Sequence, residues 1–162
     1  MSRLTLPDAG RITIASAIKL RTFALAVGSG DVAWGSTPPD VASNASALTT
    51  PIAMVRSSIV EFVTPDEDGT IEASDGSKWS VSVPATKYLY LAFILGFADG
   101  PSETLREIAV YLDPTIAGGI PGGQNYIPWA SVTAPGSLFG LARFAPLARA
   151  GVRQTFGEII TL

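Results

Sequence analysis

Lys78-Trp79-Ser80-Val81-Ser82-Val83 and, a few residues on, Tyr88-Leu89-Tyr90-Leu91-Ala92-Phe93-Ile94-Leu95-Gly96-Phe97 decide the fold class. In the first run apolar and polar residues alternate strictly. Successive strand side chains point to opposite faces, so Trp79, Val81 and Val83 are expected on the inner face of a half-buried strand. The second run is continuously apolar, as a central strand covered on both faces requires. At ten residues it is well short of the roughly 20 that span a bilayer.

Upstream, Ile59–Val63 reads as a strand ended by Thr64-Pro65-Asp66. Asp68-Gly69 and Asp75-Gly76 mark turns around a short strand at residues 70–73. Phe23–Val27 is a strand with Phe23, Leu25 and Val27 on one face, closed by the Gly28-Ser29-Gly30-Asp31 turn, and Ile12-Thr13-Ile14 reads as a strand before it. Residues 34–47, rich in Ser, Pro, Ala and Asn, form an irregular excursion. Thr50-Pro51 suits a helix start, with a short helix through about Arg56, although Val55, Ile59 and Val60 suit a strand equally well.

Downstream, Thr104–Tyr111 is an apolar, β-branched strand entered by Arg106-Glu107, with Arg106 on the face of Ile108, Val110 and Leu112. Residues 113–128 read as a long Gly/Pro-rich loop, and 137–144 and 152–162 as the last strands. The expectation is one β-rich domain over residues 1–162, mainly β, β-sandwich-like and mostly antiparallel, with about eight strands and at most one or two short helices.

Composition narrows the function. The chain has 162 residues, enough for a sizeable core. Its net charge is −3 and its 11 basic residues are scattered, which argues against a nucleic-acid surface. Cysteine and histidine are absent, removing disulfides, thiolate chemistry, Ser-His nucleophiles and the common zinc sites. Charged residues make up 15% and hydrophobic ones 47%, against a usual charged share of about 25%. So low a charge fits an unusually well-covered core or, the favoured reading, a surface partly covered by neighbouring subunits. Residues 1–8 lack the uninterrupted apolar core of a secretory signal.

No motif completes a catalytic or metal site. Gly28-Ser29-Gly30 is followed by Asp31-Val32-Ala33-Trp34 and then prolines, not by the helix a phosphate loop opens. Asp66-Glu67-Asp68-Gly69 has the carboxylate spacing of a calcium loop, but Thr64 and Asp75 occupy its first and last positions and Pro65 interrupts it. Glu103, Glu107 and Glu158 are the carboxylates a glycosidase pair would draw on, yet nothing in the sequence brings two of them together. The expectation is no enzyme, no cofactor and no metal. Arg106 on an apolar strand face either snorkels at an edge or forms a paired charge that fixes register or a subunit contact. Trp34, Trp79 and Trp129 are expected to be core or interface anchors.

Three features in order resemble the N-terminal region of bacteriophage tail-fibre, tail-collar and baseplate-associated proteins. These are the Gly28–Asp31 turn, Ala47-Leu48 leading to Arg56, and the Arg-Glu strand Arg106–Tyr111. Val152–Thr161 is similar to the final strand of small tail proteins. The resemblance implies a structural component of a tailed-phage virion, assembled in the host cytoplasm. Its expected role is an adaptor in several copies joining the tail or baseplate to fibres or other baseplate proteins, without nucleic-acid binding or membrane insertion. Arg106, Glu107, Trp34 and Trp129 are its candidate assembly contacts. A carbohydrate- or receptor-binding module at the tail tip is the alternative.

Overall fold

Lys78–Val81 is a strand in the computed structural model, which describes residues 4–73 and 75–162; the readings that touch residues 1–3 lie outside them. In chain order the elements are α1 (Asp8–Lys19), β1 (Phe23–Gly28), β2 (Pro51–Arg56), β3 (Ile59–Pro65), β4 (Ile71–Glu72) and β5 (Lys78–Val81). There follow β6 (Tyr88–Leu95), β7 (Thr104–Leu112), β8 (Thr115–Ile116), β9 (Tyr126–Pro128), β10 (Val132–Ala134), β11 (Ser137–Ala148) and β12 (Gln154–Thr161), with single 3-10 turns at Val32–Trp34 and Trp129–Ser131. The chain is mainly β, and its paired strands run antiparallel. It groups into two compact units. One comprises the chain through Arg21, Ser58–Ala92 and Phe156–Leu162; the other comprises Thr22–Ser57 and Phe93–Thr155.

Within the first unit, the strand order is β12-β6-β3-β5-β4. β3 pairs with β6 through Ile59–Phe62 and with β5 through Val63–Pro65. The alternation at residues 78–83 is corrected by the structure. Trp79 turns inward and meets Tyr88 edge-on at 4.9 Å, but Val81 and Val83 are 56% and 97% exposed. The reason is length: β5 ends at Val81, the last position paired with β3, and Val83 lies beyond the ladder. Ile12-Thr13-Ile14 is helix, not strand. Asp8 in the first turn and Lys19 in the last complement the helix dipole, and Pro7 sits at the N-cap with extended backbone. Only the longer window shows the helical period, with Arg11, Ile12, Ala15, Ile18 and Lys19 turned inward at spacings of three to four. Arg11 Nη1 donates to Leu162 O and Lys19 Nζ pairs with Glu61 at 2.8 Å, fastening the helix to the unit.

The second unit carries the sheet β11-β7-β1-β2-β9. β1 lies at its centre and all six of its residues are buried, so both faces are covered. Residues 51–56 are strand, not helix: Ala53, Met54 and Val55 are fully buried beside β1, and Pro51 lies at the register shift where a missing N–H breaks no ladder. On one face Ala24, Ala26, Leu48, Met54, Ala109 and Tyr111 form an apolar cluster, with Ile116, Trp129, Val132, Leu138 and Leu141 packed against it. The expected loop at 113–128 is partly ordered into sheets, since β8 pairs with β10 and β9 adds to β2. Residues 35–47 have no helix or strand, as the prolines require.

Candidate functional site

β7 enters the second unit with Thr104-Leu105-Arg106-Glu107, and its pleat sends Arg106 and Glu107 to opposite faces. Glu107 shares its face with Ala109 and Tyr111 and is fully buried. An unpaired buried carboxylate is very costly, so its environment has to compensate it. Two groups do so. Oε1 accepts the Thr50 backbone N–H at 2.8 Å, and Oε2 faces Nε of Arg143 at 4.0 Å. The register makes this possible, because Arg143 of β11 stands opposite Glu107 and Gly28 of β1 flanks it on the other side.

Glycine at that flank is a steric requirement. A Cβ on Gly28 would lie 2.8 Å from Glu107 Cγ and from Thr50 O, and one on Gly30, where φ is +58°, would run into the Trp34 ring. The tight turn therefore lets β1, Glu107 and the Trp34 side chain approach one another. Arg106, on the opposite face, donates from Nη1 to Ser29 O at 3.2 Å and closes the same turn.

Arg143 links this buried charge to the excursion beyond it. Its guanidinium lies 4.7 Å from the Trp34 ring centroid, and Nη1 reaches Pro39 O and Asp40 O at 3.4 Å each. The Asp31 side chain accepts Ala33 N–H at 2.9 Å and starts the 3-10 turn that delivers Trp34. Glu107, Arg143 and Trp34 thus form a latch that holds residues 34–40 against the sheet. Burial pushes the Tyr111 hydroxyl above its ordinary range, with the Glu107 charge adding in the same sense.

The structure brings Arg106, Glu107 and Trp34 together around one turn. Trp129 lies apart from them, packed on the Ala24–Met54–Tyr111 cluster. Glu107 and Glu158 fall in different units, and Glu103 neighbours Gly100 and Tyr126, where burial first and then the Glu103 and Asp99 charges push the Tyr126 hydroxyl up. The acidic turn at 66–68 engages its own carboxylate. Asp66 accepts from Ser80 Oγ at 2.6 Å and from Asp68 N–H at 3.1 Å, which holds it below the usual carboxylate range.

Sequence reading missed two residues. Arg143 completes the latch, and only strand register reveals it. Arg149 is fully buried and donates to Gly96 O at 2.7 Å, to Asp99 O and to Gln154 Oε1, pinning the 96–99 turn. Its one sequence signal is a charge beside Ala148 and Ala150, too weak to read.

A family model described as "Baseplate wedge 3 tail fiber network component" matches residues 1–162. The chain belongs to that family. No curated protein matches its sequence. Membership agrees with the resemblance to phage baseplate and tail-fibre proteins and gives this baseplate wedge component a structural setting in the virion. The latch is then the local architecture of the Gly-turn and Arg-Glu features on which that resemblance rests. Among the described residues no helix is long and apolar enough to cross a membrane.

Proposed function

We propose that this chain is a non-enzymatic, multi-copy adaptor that joins the baseplate wedge to the tail-fibre network. The family description supplies the setting, and the disposition of apolar side chains carries the adaptor reading. Val32 is 75% exposed at the start of the 3-10 turn that leads into the latched segment, and Val83 and Phe97 are 97% and 68% exposed just beyond strand ends. Apolar residues held on ordered loops are what a contact surface between subunits needs. The tryptophans favour the same reading over receptor binding. In the second unit Trp34 lies under Arg143 and Trp129 packs on the core, and in the first Trp79 meets Tyr88 edge-on, so each is engaged by neighbours of its own unit.

In this reading Trp34, Arg106 and Trp129 shape the contact surface and Glu107 acts through Arg143 to hold the 34–40 segment in place. Assembly occurs in the host cytoplasm. The test is incorporation into particles. A tagged chain is expected at the baseplate by immuno-electron microscopy, and Val32→Asp is expected to lower its incorporation while leaving the circular dichroism spectrum unchanged. Absence of the tagged chain from purified particles, or cell-wall hydrolysis by the purified chain, overturns the proposal.

A further inference from the structure

Within the first unit, the side chains that α1 exposes between its ends are Ala9, Thr13, Ile14 and Ala17, and Leu20 at the C-cap is 88% exposed. An ordinary surface helix carries its charges on that side. Here Arg11 and Lys19 point the other way and are held by Leu162 O and Glu61. Thr13 Oγ1 donates to Ala9 O at 2.9 Å and Ser16 Oγ to Ile12 O at 2.8 Å, so neither hydroxyl proton needs an outside partner. Leu6 extends the stripe. It precedes the helix, but Gly10 lets it lie on the first turn, where a Cβ would stand 2.7 Å from Leu6 Cδ1.

The stripe reads the same in both directions. Leu6, Ala9, Thr13, Ala17 and Leu20 follow one another at spacings of three, four, four and three, with Thr13 at the centre. A two-fold axis through Thr13 pairs Leu6 with Leu20 of a second copy, Ala9 with its Ala17, and Thr13 with its counterpart. An isologous contact requires such a patch, in which residue i meets j and j meets i. Leu6, Thr13 and Leu20 stand seven apart, so the stripe runs nearly along the helix axis and suits a shallow crossing of about 20°. Small side chains at the middle let the backbones approach, and a leucine closes each end. Antiparallel pairing also opposes the two helix dipoles and brings the Asp8 end of one helix to the Lys19 end of the other.

From this uncharged, palindromic face we infer that α1 pairs antiparallel with α1 of a second copy of this chain, about a two-fold axis at Thr13. The inference rests on the multi-copy part of the adaptor reading for its place in the particle. A different baseplate protein is the poorer occupant, because an unrelated partner gives the face no reason to be symmetric about its own centre. Two 12-residue helices bury less than the about 1,200 Å² of a standard interface. The pair is therefore weak alone and gains strength where several copies are held together.

The full chain contains no cysteine, so single substitutions report the geometry without background. Thr13→Cys, on the axis, is expected to give a disulfide-linked dimer under mild oxidation. Ala9→Cys alone is not, because its two copies would stand about 12 Å apart along the paired helices, beyond disulfide reach. Ala9→Cys mixed with Ala17→Cys is expected to cross-link. Leu20→Asp is expected to weaken self-association in sedimentation equilibrium about tenfold or more, since it buries a charge in an apolar contact. Val83→Asp, at a position at least as exposed in the same unit, is expected to leave it unchanged. Equal oxidation of Thr13→Cys and Ala9→Cys, or indifference of self-association to Leu20→Asp, overturns the proposal. A chain that stays monomeric at about 1 mM, with Thr13→Cys failing to cross-link, overturns it as well. Particle incorporation is scored separately. A chain found in the baseplate whose α1 does not pair refutes the pairing alone, and a chain that pairs through α1 but is absent from particles refutes the adaptor reading alone.

Discussion

Glu107 and Glu158 both lie within β-strands, and the fold treats them in opposite ways. Glu107 is fully buried on β7, with a backbone donor at 2.8 Å and Arg143 beyond it. Glu158 lies on an edge strand beside a cleft whose other ionisable group, Asp75, is also acidic. The buried charge is compensated inside its own unit and serves to hold a segment in place. The edge charge has no cation beside it to offset its partial burial. Whether a strand carboxylate is compensated therefore depends on what its neighbours supply.

The largest expected effect tests the closed end of that contrast. Glu107→Ala strips Thr50 N–H of its acceptor and leaves Arg143 without its carboxylate, and it should destabilise the protein by about 3–5 kcal/mol in urea unfolding. A loss below about 1 kcal/mol would mean that Glu107 is not compensated as described.

Arg143→Gln removes both the cation over Trp34 and the counter-charge of the buried Glu107, and should cost about as much as Glu107→Ala, about 3–5 kcal/mol. Amide exchange that quickens most at residues 34–40 is its signature, and uniform loss of protection would contradict the latch. Gly28→Ala should cost about 1–3 kcal/mol, since the new methyl meets Glu107 and the Thr50 carbonyl; the urea unfolding midpoint measures it. The smallest effect lies at the open end. A carboxyl whose folded pKa is raised stabilises the fold below its unfolded value, and that contribution is lost as pH rises through the folded value. Glu158→Gln should therefore leave stability unchanged near pH 4 and raise it at neutral pH by no more than about 0.5 kcal/mol. A destabilisation at neutral pH would show that Glu158 has an internal partner after all.

Continuous or alternating apolar runs were legible without coordinates wherever a strand is long. Phe23–Val27, Ile59–Val63 and Tyr88–Phe97 fall close to the observed Phe23–Gly28, Ile59–Pro65 and Tyr88–Leu95. Short windows misled. Ile12-Thr13-Ile14 satisfies a strand pattern over three residues and a helix pattern over twelve, and the longer period wins because Ala15 and its neighbours have a surface to bury against. Val81 and Val83 obey the alternation of a covered strand but fall where β5 ends. Half of the latch was visible, since Gly28, Gly30, Trp34 and Arg106-Glu107 were singled out on their own chemistry. Arg143 was not, because its sequence surroundings carry no hint of the residue opposite it.

By itself, the sequence determined a mainly β chain, excluded cysteine and histidine chemistry, and pointed through short turn and strand features to a phage baseplate family. The first two rest on composition and local periodicity, which need no knowledge of distant neighbours, and the third on a resemblance of short motifs. Tertiary structure alone decided which charge is buried, which is left at an edge, and which tryptophan closes the latch. Pairing Arg143 with Glu107 joins residues far apart in the chain through strand register, and a register slip of one residue would send Glu107 to the other face. Side-chain partnership across a sheet is a property of register, and the whole fold sets register.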